Sequence, residues 1–339
     1  MTRYAAIIPG IILCLGVALA AVLINSIMPV DLLGIALVSL ILGMLLNPVI
    51  SRQQVFHRGV DWTSKLILRA GIILTGISLS FAQVVQAGKY ALLLMVFTLS
   101  TAFGVGILCR KIFKIDWKLS SLLSVSTAIC GGTAVATVGP VIEAKEKEIA
   151  YALSATFVFD LLTVILFPWV GKLLGMSDTG FGLWVGTSVN DTSSVIAAGY
   201  AFSDAAGALA TIVKLTRTLF IVPIVLIFAW IHAKKKVAGG EVGEMAKIRV
   251  RDIFPWFILG FLFMVGVRST GLLSAGAVAT TGNLAKFLLA AALGAIGMKT
   301  SFQEVAGVGI KPMIAGVIID SSVVVVALFA QAAILRLIP

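Results

Sequence analysis

Apolar runs of about 20 residues, the length of a helix that crosses a bilayer, recur along the whole chain and are separated by short polar segments. Eleven such spans are predicted, at 5–25, 31–49, 65–84, 89–109, 119–141, 149–170, 180–201, 207–231, 253–270, 278–297 and 311–335. The roughly 10-residue alternating segments of a membrane β-barrel are not seen. The pattern predicts an all-α polytopic membrane protein forming one domain over 1–339. The first span contains Ala18-Leu19-Ala20, a signal-cleavage-like triplet. Its apolar run continues beyond that point, which favours an uncleaved first helix.

Composition agrees with the pattern. Of 339 residues, 60% are apolar and 12% charged, and the mean hydropathy is +1.10. A soluble domain carries about 25% charged residues, so a soluble enzyme and a disordered chain are both excluded. The net charge of +11 is explained by sidedness. With the N-terminus inside, the inner loops hold 17 Lys and Arg and the outer side 5. Basic residues collect on the cytoplasmic side of membrane proteins. The expected placement is a bacterial inner membrane, with a cytoplasmic N-terminus and a periplasmic C-terminus. No nucleic-acid partner is needed to account for the charge. Cys14, Cys109 and Cys130 lack metal-ligand spacing, and neither a metal nor a cofactor is expected.

Two internal matches stand out. Segment 65–88 laid on 286–309 gives eight identities in 24 positions, among them Gly76 with Gly297 and Phe81 with Phe302. These copies lie in the third and tenth spans and so run in opposite directions. Such inverted repeats are a signature of secondary transporters, with repeat elements here at about 31–170 and 180–335. Segment 127–139 also resembles 187–199. An 11-span threading gives these two copies the same direction. Either the second half is permuted or one span is re-entrant.

Several ionisable residues fall near the middle of a span: Asp160, Asp191, Lys214, Arg217 and Asp320. A charge there costs at least about 2.5–3.5 kcal/mol, so these side chains are expected to face a protein interior or a watery cavity. Arg69 and Lys286 lie nearer span ends and can snorkel. Lys214 and Arg217 share a helix face at i, i+3 and need an anion or carboxylates nearby. Cys130-Gly131-Gly132-Thr133 weakens its helix at mid-depth. A break there exposes N–H groups at the positive end of a helix dipole. Gly186 to Ser194 is the most polar run in any span, with Ser188, Asn190, Asp191, Thr192, Ser193 and Ser194 among its members. The run does not suit lipid. An enzyme is not expected: His57 and His232 lie in loops, and no H-E-x-x-H, G-x-S-x-G or P-loop is found.

Four segments resemble the YeiH family of bacterial inner-membrane proteins: L-S-V-S-T-A-I-C-G-G-T-A-V-A-T-V-G-P-V-I at 123–142, G-T-S-V-N-D-T-S-S-V-I-A-A-G at 186–199, K-L-T-R-T at 214–218 and G-M-K-T-S-F at 297–302. The resemblance implies sulfate or sulfite export. It also implies the broad fold of cation/proton antiporters and bile-acid symporters, in which two broken helices cross at the substrate. On that basis the expected function is secondary transport, as an exporter, of a small inorganic sulfur oxyanion. Substrate would bind at Cys130, Gly131, Gly132, Thr133, Ser188, Asn190, Thr192, Ser193, Ser194, Lys214 and Arg217. Asp160 or Asp191 would carry a coupling proton. The alternatives are a cation/proton antiporter using Asp160 and Asp191, and a non-transporting membrane sensor or scaffold. Expected partners are the anion, the lipid bilayer, a coupling proton or sodium, and a second copy in a homodimer.

Overall fold

The computed structural model describes residues 6–27, 35–238, 253–299 and 310–337, which are helical with no strand among them. The helices are α1 (Ile8–Ile27), α2 (Ile35–Ile50), α3 (Gln54–Trp62), α4 (Leu68–Thr75), α5 (Phe81–Phe113), α6 (Trp117–Ala128), α7 (Gly132–Val141), α8 (Glu146–Leu173), α9 (Asp178–Ser188), α10 (Thr192–Phe202), α11 (Asp204–Leu219), α12 (Ile221–Ala238), α13 (Phe257–Ser269), α14 (Ala275–Lys299) and α15 (Ile310–Leu337). A π turn over Thr63–Ile67 joins α3 to α4. Among the described residues, six helical stretches are long and apolar enough to cross a membrane: α1, α5, α8, the α11–α12 pair, α14 and α15. Exposed Leu92, Leu93, Val96 and Phe97 on α5 form the kind of apolar surface that lipid covers.

The predicted spans 119–141 and 180–201 do not run straight through. Lys118, at the start of α6, donates from Nζ to the Glu143 carbonyl just past α7, at 2.6 Å. A continuous helix over 119–141 would hold those residues more than 30 Å apart at about 1.5 Å per residue. The α6–α7 segment is therefore a hairpin that returns to its own face. The α9–α10 segment does the same. The Ser203 hydroxyl donates to Asp178, and the Phe181 and Phe202 rings stack 4.0 Å apart. Between the hairpins runs α8, 28 residues long, so they enter from opposite faces, here called the Glu143 face and the Asp178 face. The re-entrant alternative left open by the sequence is the one that the fold adopts, and it does so twice. Lys145 and Lys147 consequently share a face with Lys118, and Lys172 lies on the other.

Local chemistry sets these turns. A Ser80–Gln83 capping box starts α5, so the predicted span 65–84 ends early, at Ser78, and the next helix begins eight residues before the expected 89. Lys114 then adopts a left-handed conformation with φ 52°, and Asp116 caps α6 through the Lys118 N–H. The chain reverses within three residues.

The helices pack as two bundles. One holds α1–α4, α13 and α14. Its tightest contact is the parallel α2–α14 pair, where Ser39 Oγ donates to the Ala290 carbonyl and Asn47 Nδ2 to that of Met298, both at 2.7 Å. A Cβ on Gly43 would stand 2.2 Å from the Gly294 carbonyl oxygen, so glycine is required for this approach. The other bundle holds α5–α12 and α15. There Trp184 stacks on Phe167 at 4.4 Å and donates from Nε1 to the Val324 carbonyl at 3.0 Å, tying α9 to α15. The bundles meet chiefly where α2 packs on α10, along an apolar seam that includes Leu37, Leu40, Ile196, Ile212 and Leu215.

Candidate functional site at the hairpin tips

The two tips meet. Helix α6 ends at Ile129, and Gly131 turns the chain with φ 62° and ψ −127°, a region that side-chain-bearing residues rarely adopt. The second tip is extended at Val189 and Asp191. A Cβ on Gly131 would lie 3.4 Å from the Asn190 carbonyl carbon and from the Asp191 nitrogen. The junction therefore gathers four helix ends: the C-termini of α6 and α9, and the N-termini of α7 and α10.

Three of the four ends are met by buried charge of the sign that a helix dipole favours. Lys214 Nζ donates to the carbonyls of Ile129 at 2.9 Å and Val189 at 3.1 Å. Arg217 donates from Nε to Ala128 at 2.7 Å and from Nη1 to Thr187. Each cation thus binds the carbonyl end of both hairpins. Both side chains are fully buried. The Asp160 carboxylate, at the midpoint of α8, accepts from the backbone N–H groups of Asn190 at 3.0 Å and Asp191 at 3.1 Å. Asp191 itself caps α10 through the Ser193 N–H at 2.7 Å. Asp320 on α15 accepts from Thr127 Oγ1 at 2.5 Å and from Asn190 Nδ2 at 2.9 Å, joining the hairpins again. The fourth end differs: no side chain caps α7, whose N-cap is Gly131.

Two cavities reach this junction. One, of about 290 Å³, is lined by Gly132 at the uncapped end of α7, with Ser154, Thr156, Asp160 and Asp191. The other, of about 330 Å³, lies between the bundles. Leu40, Met44, Lys65, Leu293 and Lys299 line one side of it, and Asp160, Asp191, Ser193 and Ser194 the other. Phe157, Asp160 and Asp191 line both.

Of the residues singled out by sequence, Gly132, Asp160, Asp191, Ser193 and Ser194 face these cavities. Lys214 and Arg217 face neither: Lys214 Nζ and Arg217 Nε and Nη1 are engaged by backbone carbonyls, and Arg217 Nη2 is buried without a hydrogen-bond partner. The anion or carboxylates expected beside Lys214 and Arg217 are replaced, in these hydrogen bonds, by backbone carbonyls. Ser188 donates to the Trp184 carbonyl, Asn190 is fully buried at the tip, and Cys130 is a buried thiol. Thr133 is exposed on α7, and Thr192 opens α10. Lys286 pairs with Asp204 rather than reaching for an interface. Sequence reasoning missed Lys65, Lys299 and Thr156. For Thr156 a signal existed: Thr156, Asp160 and Thr163 recur at steps of four and three, one polar stripe on a span. Lys65 and Lys299 carried none, since both sit at span ends where loop basic residues are ordinary.

The family described as Conserved hypothetical protein 698 matches residues 9–316. A UPF0324 membrane protein of Clostridium tetani is 51% identical, over 95% of this chain and 96% of its own length. UPF0324 membrane proteins of Streptococcus agalactiae serotype V and Streptococcus pneumoniae serotype 4 are 35% and 34% identical, over 96% and 95% of this chain and 97% and 96% of theirs. Similarity that spans the tips, the buried charges and both bundles alike makes this chain a member of the UPF0324 membrane protein family, the YeiH family whose motifs it carries.

Proposed function

We propose that the protein is a secondary transporter of a small anion, with a sulfur oxyanion such as sulfite or sulfate as the substrate class. The observation that carries this reading is the bare N-terminus of α7 opening on a cavity at the junction. Free N–H groups at a helix start suit an anion. Asp160 and Asp191 line the same cavity, so an anion there must arrive with protons that neutralise them; like charges this close oppose each other. Transport is thus coupled to protons through these two carboxylates. The opposed hairpins, and the opposite directions of residues 65–78 and 286–299, support an inverted pair of repeats. The sulfur oxyanion itself rests on the family resemblance, as does export. Counting Lys145 and Lys147 with the N-terminal side and Lys172 with the other changes the basic split from 17 against 5 to 18 against 4, which strengthens the case for a cytoplasmic N-terminus.

A second reading has its own support. Asp160 and Asp191 face both cavities while Lys214 and Arg217 face neither, as a cation/proton antiporter would require. Thermal unfolding of the detergent-purified protein with sulfite, sulfate or sodium, from pH 5 to 8, separates the two. A ligand at 100 times its Kd adds about 2.7 kcal/mol. Under the anion reading sulfite or sulfate raises the midpoint, more at low pH, and Asp160→Asn removes the pH dependence. A shift with sodium alone supports antiport. No shift with any ion sinks both.

A further inference from the structure

The two bundles are held unequally at the two faces. Asp61 lies on the Glu143 face, because α3–α4 and α5 run antiparallel and meet near Ser78 and Phe81 on the other side. Among the described residues, the ion pairs at that face stay within one bundle: Lys65 and Lys299 with Asp61 in the first, and Lys236 with Glu143 in the second. The cavity between the bundles there passes Lys65 and Lys299 and reaches Asp160 and Asp191. The Asp178 face also has a cavity, of about 590 Å³, lined by Ser78 and Leu79 at the turn into α5 and by Gln83, Asp178, Asp204 and Ile212 of the second bundle, among others. It stops short of the tips, behind the apolar seam of Ile196, Ile212 and Leu215. At this face Lys286 of α14 donates to Asp204, the first residue of α11, at 2.5 Å. That pair joins one bundle to the other.

The heights of these contacts are also uneven. Lys286 is the twelfth of the 25 residues of α14, near its middle, yet it meets the Asp178-face end of the second bundle. The tips, at the middle of that bundle, share a cavity with Leu293, Ile296 and Lys299 in the last third of α14. The second bundle is therefore set toward the Glu143 face. Lys214, Arg217 and Asp320 each bond both hairpins, so a gap between the tips is not the moving part.

We propose that Lys286 and Asp204 are the latch of the Asp178-face gate: while they are paired, the tips are reached from the Glu143 face, and when they part, the braced hairpin bundle shifts along α2 and α14 and the tips open to the Asp178 face. This rests on the transporter reading. The side chains are 39% and 69% exposed, and exposed ion pairs are weak, as suits a contact that opens and recloses.

The test uses the full chain in sealed vesicles with Ser194→Cys, which places a thiol in the cavity. The native cysteines are buried, so a membrane-impermeant maleimide added from one side or the other reads position 194. With the latch intact, labelling comes from the Glu143 face. Asp204→Lys is expected to raise labelling from the Asp178 face severalfold, and Asp204→Lys with Lys286→Asp to restore the original pattern. Unchanged sidedness in Asp204→Lys, with the protein still folded by its unfolding midpoint, overturns the latch. Sulfite flux into the same vesicles reports separately on the transport reading. Sidedness that switches as expected, with no flux of sulfite, sulfate or sodium, leaves the latch standing and removes the transport assignment.

Discussion

Lys214 shows how a buried charge can be structural without pairing with another charge. Its ammonium replaces the missing next turn for two helix ends, and Arg217 repeats the arrangement one turn on. Lys214→Ala orphans the Ile129 and Val189 carbonyls, and a buried acceptor left unmet costs about 1–3 kcal/mol. The expected outcome is a large fall in the unfolding midpoint of the detergent-purified protein with no ligand present. A variant that kept its midpoint and lost only anion binding would return Lys214 to the substrate. Asp61 is the opposite case, an exposed carboxylate. Hydrogen bonds from Lys299 and Lys65 hold its pKa below the ordinary 3.8. Its stabilisation is therefore complete above that value and is lost as pH falls through the lower folded one. Asp61→Asn should cost less than about 1 kcal/mol at pH 7, with the deficit fading in strong acid; a deficit that grew as pH fell would contradict the assignment.

Among the elements, the hairpins separate what sequence could and could not reveal. Their tips were legible: Cys130-Gly131-Gly132-Thr133 and the polar run around Asn190 mark helix breaks because glycine and small polar side chains disfavour a continuous helix in lipid. The direction after each break was not, since a broken span and a hairpin share the same apolar length. Lys118 and Glu143, whose contact decides the matter, are 25 residues apart and read as ordinary loop residues. The long helices were legible from run length, although α5 begins eight residues before the expected 89. The backbone partners of Lys214 were not legible, because a carbonyl partner leaves no mark in sequence, whereas a carboxylate partner would. The first tip also gives a sharp comparison. Gly131→Ala forces a side chain into a conformation that costs about 1–3 kcal/mol and sets a methyl group 3.3 Å from Thr156 Cγ2 and in contact with the second tip. Gly132→Ala meets only Leu153 Cδ2, at 3.3 Å. Gly131→Ala should lower the unfolding midpoint well below that of Gly132→Ala; equal midpoints would mean that Gly131 does not hold the positive φ described.

For the whole molecule, the hairpins make a topological prediction. Lys114→Cys and Lys145→Cys should react with an impermeant thiol reagent from the same side of the membrane, and Gly175→Cys from the other. Labelling of positions 114 and 145 from opposite sides would restore a straight span over 119–141. The bracing of the tips bears as well on how the chain is made. Hairpin α6–α7 leaves the ribosome with the carbonyls of Ala128 and Ile129 unmet, and their partners Arg217 and Lys214 follow only after some 85 further residues. Asp320, the partner of Thr127, follows 193 residues after it. The first hairpin must therefore wait, shallow or hydrated, while most of the protein is synthesised, and it settles to mid-depth when α11 and then α15 arrive. A chain stopped before α11 would hold a hairpin that a protease or an insertion chaperone can still grasp, so quality control can read the completeness of this protein from the exposure of a single loop.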